Sequence, residues 1–135
     1  MKIVVDTNVL ISGVYFGGYP YRILEAWSDG RIVLVVSREI LSEYLRVGGI
    51  LAGQYPGVKF KPIFELIRGK AVLVKTRRLY SSICADPDDD KFFSCALAAG
   101  SKMIISGDKH LLKVSGFNGI DVLKPREFVE IYLQN

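Results

Sequence analysis

Short apolar runs alternate with stretches of helical periodicity along the whole chain. The runs occupy residues 3–5, 32–36, 71–74, 103–105 and 120–123, the last interrupted by Asp121, and each is bounded by polar or turn-forming residues. A short and continuous apolar run of this kind is typical of a strand that is buried on both faces, as in a parallel sheet. We therefore expect about five strands, most of them parallel.

Amphipathic stretches separate these runs. We predict helices over residues 21–28, 37–47, 62–68 and 86–99, a short helix ending at 112, and a last helix from 125. Ser37 is a typical N-cap of its helix, and the pair Gly48 and Gly49 is expected to end that helix. Residues 51–57 are rich in glycine and proline and are expected to form a mobile loop, while residues 77–85 are expected to be irregular.

The last helix is expected to direct four side chains inward: Phe128, Val129, Tyr132 and Leu133. Strand and helix then alternate from end to end, which predicts an α/β fold with a central, mostly parallel sheet. At 135 residues the chain corresponds to a single domain, residues 1–135, that can bury a sizeable core.

Composition narrows the class of protein. Half of the residues are hydrophobic, 24% are charged, and the formal net charge is +4. No apolar run approaches the roughly 18 residues that would span a bilayer, and the first residues enter a strand without a signal-peptide pattern. We therefore expect a soluble, cytoplasmic protein. Cys84 and Cys95 lack a metal-binding motif, so structural thiols are the favoured interpretation, although a disulfide stays possible.

Four acidic residues follow the predicted strands or lie near their ends. Asp6 follows the first strand, Glu43 lies in the helix after the second, Asp90 lies in the first turn of the helix after the third, and Asp108 follows the fourth. The carboxyl ends of parallel strands meet at one edge of a sheet, where ligands bind in such folds. Four acids without a Lys or Arg among them would repel one another and attract Mg²⁺ or Mn²⁺. Such ions catalyse phosphodiester chemistry.

Each acid also has a purely structural interpretation. Asp6 and Asp108 could cap the helices that follow them, and residues 88–90 could simply favour the N-terminal end of a helix dipole. Glu39 lies one turn from Glu43 on the same helix face, and composition does not choose between them.

The joint placement of the four acids is harder to ascribe to chance than any one of them. The only histidine, His110, is interpreted as a surface or packing residue.

A basic stretch lies between residues 59 and 78, opposed only by Glu65. Its candidate nucleic-acid-binding residues are Lys59, Lys61, Arg68, Lys75, Arg77 and Arg78, with Lys70 in the same stretch. A solvated face explains such a run, but a basic surface beside an acidic metal pocket is also what a nuclease needs to hold phosphates. Tyr55 could stack on an unpaired base, whereas Phe60 and Phe64 are favoured as core residues.

Four segments of the chain together resemble the PIN-domain family, and more narrowly the small prokaryotic, VapC-like members described as toxins of toxin–antitoxin systems. The segments are residues 4–10 (VVDTNVL), 37–45 (SREILSEYL), 86–100 (DPDDDKFFSCALAAG) and 105–112 (ISGDKHLL). The resemblance covers nearly the whole chain in order. It implies a three-layer α/β/α fold, one or two Mg²⁺ or Mn²⁺ ions, and ribonuclease activity on single-stranded RNA.

The resemblance also implies roles for individual residues. Asp6, Glu43, Asp90 and Asp108 correspond to the family's acidic quartet, which favours Glu43 over Glu39. The same comparison implies that Asn8 and Ser106 orient the carboxylates or a water molecule. The implied reaction is hydrolysis of an RNA phosphodiester by a water that the metal activates, with in-line attack. The implied partners are a second copy of the chain and an antitoxin that inserts into the acidic groove with an Arg or Lys.

Other protein classes fit less well. A phosphoacceptor receiver domain needs an acidic pair after the first strand and an Asp after the third, neither of which is present, and a haloacid-dehalogenase-like phosphatase needs a second Asp where Asn8 stands. No glycine-rich phosphate loop is present. The alternative from a different class is a PIN-like module that binds RNA or a protein without cutting.

Overall fold

The computed structural model describes residues 1–77, 83–84 and 86–134. The elements are β1 (Lys2–Val5), α1 (Thr7–Tyr15), α2 (Gly18–Ser28), β2 (Val33–Val36), α3 (Arg38–Gln54), α4 (Phe60–Lys70), β3 (Val72–Leu73), a 3₁₀ turn (Pro87–Asp89), α5 (Asp90–Ala99), β4 (Met103–Ile105), α6 (Lys109–Lys113), a second 3₁₀ turn (Phe117–Gly119), β5 (Asp121–Leu123) and α7 (Pro125–Phe128), which continues as a π-helical segment (Val129–Leu133).

The sheet of the described chain has five strands, all parallel, in the order β3-β2-β1-β4-β5. Central strand β1 carries Ile3, Val4 and Val5, which are almost wholly buried. Helices flank the sheet, and α5 packs against β1, β2 and β4. The predicted α/β class is therefore confirmed. The strand order differs from the 2-1-3-4-5 order of receiver-like sheets.

The direction in which the chain winds reverses at β1. From β1 the chain proceeds to β2 and β3 on one side, and it then crosses to β4 and β5 on the other. Such a reversal leaves a crevice between the two central strands at their carboxyl ends, because the connections leave in opposite directions. Asp6 follows β1 and Asp108 lies just beyond β4, so both acids border this crevice.

Helix α3 is longer than predicted. It continues through Gly48 and Gly49 to Gln54, so the predicted stop at these glycines is wrong, and so is the predicted loop up to residue 54. Gly48 lies against the ring of Phe60 of α4, where a Cβ atom would overlap the ring. Its carbonyl accepts a hydrogen bond from the hydroxyl of Tyr15 at 2.9 Å. A residue without a Cβ atom is therefore needed at position 48, because α3 and α4 approach each other closely there.

Other boundaries also differ from the prediction. Helix α2 begins at Gly18. Strand β3 has only two residues, Val72 and Leu73, which are exposed because this strand lies at the edge of the sheet. Tyr132 is 41% exposed rather than inward. Phe128, Val129 and Leu133 are buried as predicted.

Most of the stretch predicted to be irregular, residues 78–82 and 85, lies outside the described residues. Within the described ranges, no helix is both long and apolar enough to cross a membrane. Cys84 and Cys95, which both belong to those ranges, are buried and take part in no disulfide bond. Burial raises the pKa of each thiol to about 12, so both are protonated at neutral pH.

The close contact of α3 with α4 predicts opposite effects of alanine at two adjacent glycines. Gly48→Ala should lower the free energy of unfolding by about 1–3 kcal/mol, since the added methyl group displaces the Phe60 ring. Gly49→Ala should raise it by about 0.5–1 kcal/mol, because alanine favours a helix, and no described atom lies within 4 Å of the new Cβ. Urea unfolding of both variants tests this, and equal stabilities would contradict the packing role of Gly48.

Candidate active site

Asp6 is the most buried acid of the site, with 6% of its surface exposed. Its N–H extends the sheet by donating to the carbonyl of Ile105 at 2.9 Å. The Ser106 hydroxyl donates to its Oδ2 at 2.6 Å. Among the described residues, its side chain makes no capping hydrogen bond to α1. The capping interpretation of Asp6 therefore has no support, and its carboxylate is left for the crevice.

Asp108 borders the same crevice from the β4 side. Its N–H donates to the Ser106 hydroxyl oxygen at 3.0 Å, so Ser106 connects Asp6 with the start of the next loop. Its own Oδ1 accepts from the N–H of His110 at 2.7 Å and caps α6. Asp6, Asn8 and Asp108 line one cleft of about 370 Å³. His110 is exposed, as predicted for a surface residue.

Glu43 reaches the site from α3. The Thr7 hydroxyl donates a hydrogen bond to its Oε2. The charge of Glu43 raises the pKa of Asp6, whereas Glu39 makes no such contribution. Sequence reasoning missed buried Thr7, although its place directly after Asp6 at the end of a central strand was a signal for it.

The prediction that no Lys or Arg lies among the acids is wrong. Lys91 Nζ donates to Glu43 Oε1 at 2.6 Å and to Asp88 Oδ2 at 3.0 Å. Arg46 Nη2 lies 3.8 Å from the same Oε1. The error arose because Lys91 and Glu43 are 48 positions apart in the chain, so only the packing of α5 near α3 brings them together.

Asp90, the predicted third acid, makes backbone contacts. Its Oδ1 accepts from the N–H of Cys84 at 2.8 Å, and both its carboxylate oxygens lie 3.2 Å from the N–H of Ile83. These hydrogen bonds anchor the segment that precedes the 3₁₀ turn. The carboxylate thus has a positioning role beside the site, and the predicted ligand role of Asp90 stays a prediction.

The pKa of Asp89 is influenced by the charges of several other acids. Its pKa is raised to about 6, first by burial and then by the charges of Asp108, Asp86, Asp6 and Asp88. From the sequence, Asp89 was expected only to interact favourably with the dipole of the helix that follows it. A signal was present, since Asp89 directly precedes α5 and lies three and four positions before the buried pair Phe92 and Phe93.

The electrostatics of the site favour a cation. Burial raises the pKa of Asp6, the bond from Ser106 opposes that change, and the charges of Asp108 and Glu43 add to it. Carboxylate oxygens with such mutual repulsion match the preference of Mg²⁺ and Mn²⁺. As placed, no group of three acidic, His or Cys side chains in the described ranges is close enough to hold an ion. The donor chemistry therefore fits, while the coordination shell is not preformed.

The predicted basic residues divide into two groups. Lys75 and Arg77 are exposed and follow β3, at the same edge of the sheet as the acids. Lys59 and Lys61 are exposed near the start of α4, and Arg68 pairs with Glu65 at 2.7 Å. Arg78 lies outside the described residues.

Four further residues of this region contact other parts of the protein: Lys70, Phe60, Phe64 and Tyr55. Lys70 donates to the Ser28 carbonyl at 2.6 Å and lies over the Trp27 ring. Phe60 and Phe64 are buried, as expected of core residues. Tyr55 is exposed, and its ring contacts those of Tyr15 and Phe16. Stacking on a base is thus open only to Tyr55.

A basic residue that sequence reasoning missed is Arg38. It lines a cleft of about 490 Å³ together with Glu39 and Lys75. Glu39 also lines the adjoining cleft of about 410 Å³, which contains Glu43, Arg46 and Lys91. Because Glu39 borders both, the two clefts are neighbours along the first turns of α3, and they are here together called the α3 groove.

A family model described as a PIN domain matches residues 2–110, a span that includes every acid discussed above. No curated protein matches the chain.

The raised pKa of Asp89 predicts a stability effect in metal-free protein. Its folded-state pKa of about 6 exceeds the ordinary 3.8, so ionisation costs folding free energy as the pH rises through this interval. Asp89→Asn should therefore stabilise the apoprotein at neutral pH by roughly 1 kcal/mol, after allowance for solvent exposure. The gain should vanish below about pH 4.

Urea unfolding in the presence of a chelator measures this difference. The matched control is Asp121→Asn, an exposed aspartate at the start of β5, which should show no comparable pH dependence. A destabilised Asp89→Asn protein at neutral pH would contradict the electrostatic coupling.

Proposed function

The chain belongs to the PIN-domain family, whose members are generally nucleases, and on this basis we propose that it is a metal-dependent endoribonuclease acting on single-stranded RNA. The observation that carries the proposal is the position of Asp6 and Asp108 in one cleft at the carboxyl ends of β1 and β4, where their charges also raise the pKa of Asp89. An acid whose pKa is raised by burial and by a neighbouring charge, as that of Asp6 is by Asp108, is characteristic of functional sites.

The proposed ion is Mg²⁺ or Mn²⁺, held by oxygens of Asp6, Asp108 and Asp89. A divalent ion there would supply positive charge to the phosphodiester transition state and make a water molecule more acidic. Ser106 orients Asp6 through its 2.6 Å hydrogen bond. Asp90 anchors the backbone of Ile83 and Cys84, which precedes Asp89.

The remaining predicted residues have supporting roles in this proposal. Glu43 is held by Thr7 and Lys91 at the side of the crevice. Asn8 lines the cleft beside Asp6. We propose that both orient water or substrate next to Asp6, a role that the resemblance implies for Asn8.

The proposed RNA path is the α3 groove. Arg38 and Lys75 lie at one end of it, and Arg46 and Lys91 lie beside Glu43 at the other. A flexible single strand fits such a groove better than a rigid duplex, because its backbone can follow the basic side chains while its bases turn outward.

The biological role we propose is that of a toxin in a toxin–antitoxin pair, acting in the cytoplasm as a homodimer. Support for this role comes from the resemblance of the four sequence segments, and exposed Tyr19 and Tyr21 of α2 are available for contact with a second copy. The competing role is a PIN-like module that binds RNA or a protein without cutting.

The central test is cleavage of end-labelled single-stranded RNA with Mn²⁺, with Mg²⁺ and with chelator. Cutting should require metal. Asp6→Asn should reduce the rate by more than about 100-fold, because a bound ion contributes several kcal/mol to such a reaction. Asn keeps the shape that accepts the Ser106 hydroxyl, so the thermal unfolding of the variant should show an intact fold.

Asp121→Asn serves as the control, since Asp121 lies at the start of β5, away from the crevice. A folded Asp6→Asn protein with full activity would refute the proposed site. Metal-independent binding of RNA by both proteins, without cutting, would favour the binding module.

The proposed path predicts the effect of removing basic residues on RNA affinity. In an Asp6→Asn background, which prevents cutting, Arg38→Gln and Lys75→Gln should each weaken binding several-fold. Each should also lower the salt dependence of log K by about 0.7 per lost phosphate contact. Fluorescence anisotropy at a series of salt concentrations measures both quantities.

Lys102→Gln is the matched control, because exposed Lys102 immediately precedes β4, at the opposite edge of the sheet. Equal losses in all three variants would point to a diffuse charge effect and contradict the path.

A further inference from the structure

The cleft that contains Asp6 and Asp108, here called the Asp6 cleft, also follows helix α1. Its volume is about 370 Å³, and Asn8 and Ser12 contribute to its lining. These two residues are four positions apart on α1, so they lie on the same face of the helix. The Asp6 cleft shares no lining residue with the α3 groove in the described chain. It is therefore a second space beside the acids, with a chemistry of its own.

Two polar side chains of the Asp6 cleft are available to a ligand. In the described part of the chain, neither the Asn8 amide nor the Ser12 hydroxyl forms a hydrogen bond with another residue. The neighbouring Thr7 differs, because its hydroxyl donates to Glu43. Ligand sites typically combine apolar walls with a few polar groups that fix the orientation of the ligand. Asn8 and Ser12 can supply those groups.

The walls of the Asp6 cleft are apolar and rigid. Val9 is buried, and the rings of Pro20 from α2 and Pro125 from α7 face the same space. At Gly13, next to Ser12, an added Cβ atom would lie 2.9 Å from the Pro20 carbonyl oxygen. This close approach of α1 and α2 fixes the position of Pro20 relative to Ser12. A wall of proline rings has little freedom to lose when a ligand binds.

The charges of the Asp6 cleft exclude a phosphate from it. Among the described residues that line it there is no Lys, Arg or His, whereas Asp6 and Asp108 are both present. An anion would be repelled there, while the α3 groove offers cations such as Arg38 and Lys75. The Asp6 cleft therefore suits an uncharged part of a nucleotide. Its apolar walls favour the flat faces of a base over the hydroxyl groups of a ribose.

We propose that the Asp6 cleft binds one unpaired nucleobase of the RNA, next to the phosphodiester that is cut, and that it prefers adenine to uracil. The inference rests on the proposed nuclease function and deepens it by naming a base preference. Asn8 and Ser12 determine this specificity. An asparagine amide can pair with N6–H and N7 of adenine, and the ionised carboxylates only accept hydrogen bonds. Uracil presents carbonyl oxygens instead of an amino group, so it fits this lining less well.

The first test measures binding of nucleosides, which carry no phosphate, to metal-free protein in chelator. Adenosine and uridine are titrated into ¹⁵N-labelled protein, and the amide signals are followed by NMR. Adenosine should shift the signals of Asn8, Val9 and Ser12, and it should bind several-fold more tightly than uridine. Ser12→Leu fills the cleft and should abolish these shifts. Ser12→Ala removes one hydroxyl group and should weaken adenosine binding several-fold, which keeps the test valid if Ser12→Leu does not fold.

The second test reads base preference from cutting. A random single-stranded RNA is digested with Mn²⁺, and the new ends are sequenced. The wild type should favour adenine over uracil by roughly tenfold at one position beside the cut bond. Ser12→Ala and Asn8→Ala should each reduce this ratio. The matched control is Ser94→Ala, at a half-buried helical serine of α5 that does not line the cleft, and it should keep the ratio.

Three results would overturn the base cleft: equal cutting beside all four bases, adenosine shifts confined to other surfaces, or a Ser12→Ala protein that keeps its base ratio but loses discrimination between RNA and DNA. The last result would show that Ser12 contacts the ribose. A wild type that cuts RNA without base preference would refute the base cleft and leave the nuclease function intact. Adenosine bound at Ser12 in a protein that cuts nothing would support the cleft and refute the nuclease.

Discussion

The arrangement of the site depends on one buried carboxylate. Asp6 ends the central strand of the sheet, where burial and two neighbouring acids raise its pKa. The hydrogen bond from Ser106 is the main contact that offsets this cost, and it also joins the ends of β1 and β4. The winding of the chain reverses between these strands, which leaves a crevice at their carboxyl ends beside this carboxylate.

The protein itself compensates the charge of one acid of the site, Glu43. Lys91 of α5 neutralises Glu43 of α3 through a contact that is largely shielded from solvent. Thr7 holds the other oxygen of Glu43 and thereby connects the first turn of α1 to the same carboxylate. Three helices are thus joined at one side of the crevice by polar contacts, while Asp6 and Asp108 at the other side form no ion pair with the described Lys, Arg and His residues.

The same topology brings the basic groove to the acids. Arg38 follows β2 and Lys75 follows β3, so both lie at the edge of the sheet where Asp6 lies. The close approach of α3 and α4 at Gly48 and Phe60 fixes the helix whose first turns form the wall of the groove. A change in helix packing is therefore expected to alter the shape of the groove as well as the stability of the fold.

The sequence alone determined the strands, the Ser37 cap and the placement of Asp6 and Asp108 at one edge, because these follow from short-range patterns and from the rules of parallel sheets. Tertiary structure decided what depends on distant partners. Gly48 continues a helix because Phe60 packs on it, and Asp90 at the start of α5 accepts hydrogen bonds from the backbone of Ile83 and Cys84. Lys91 enters the site because α5 lies near α3, a contact between residues 48 positions apart that no local pattern encodes.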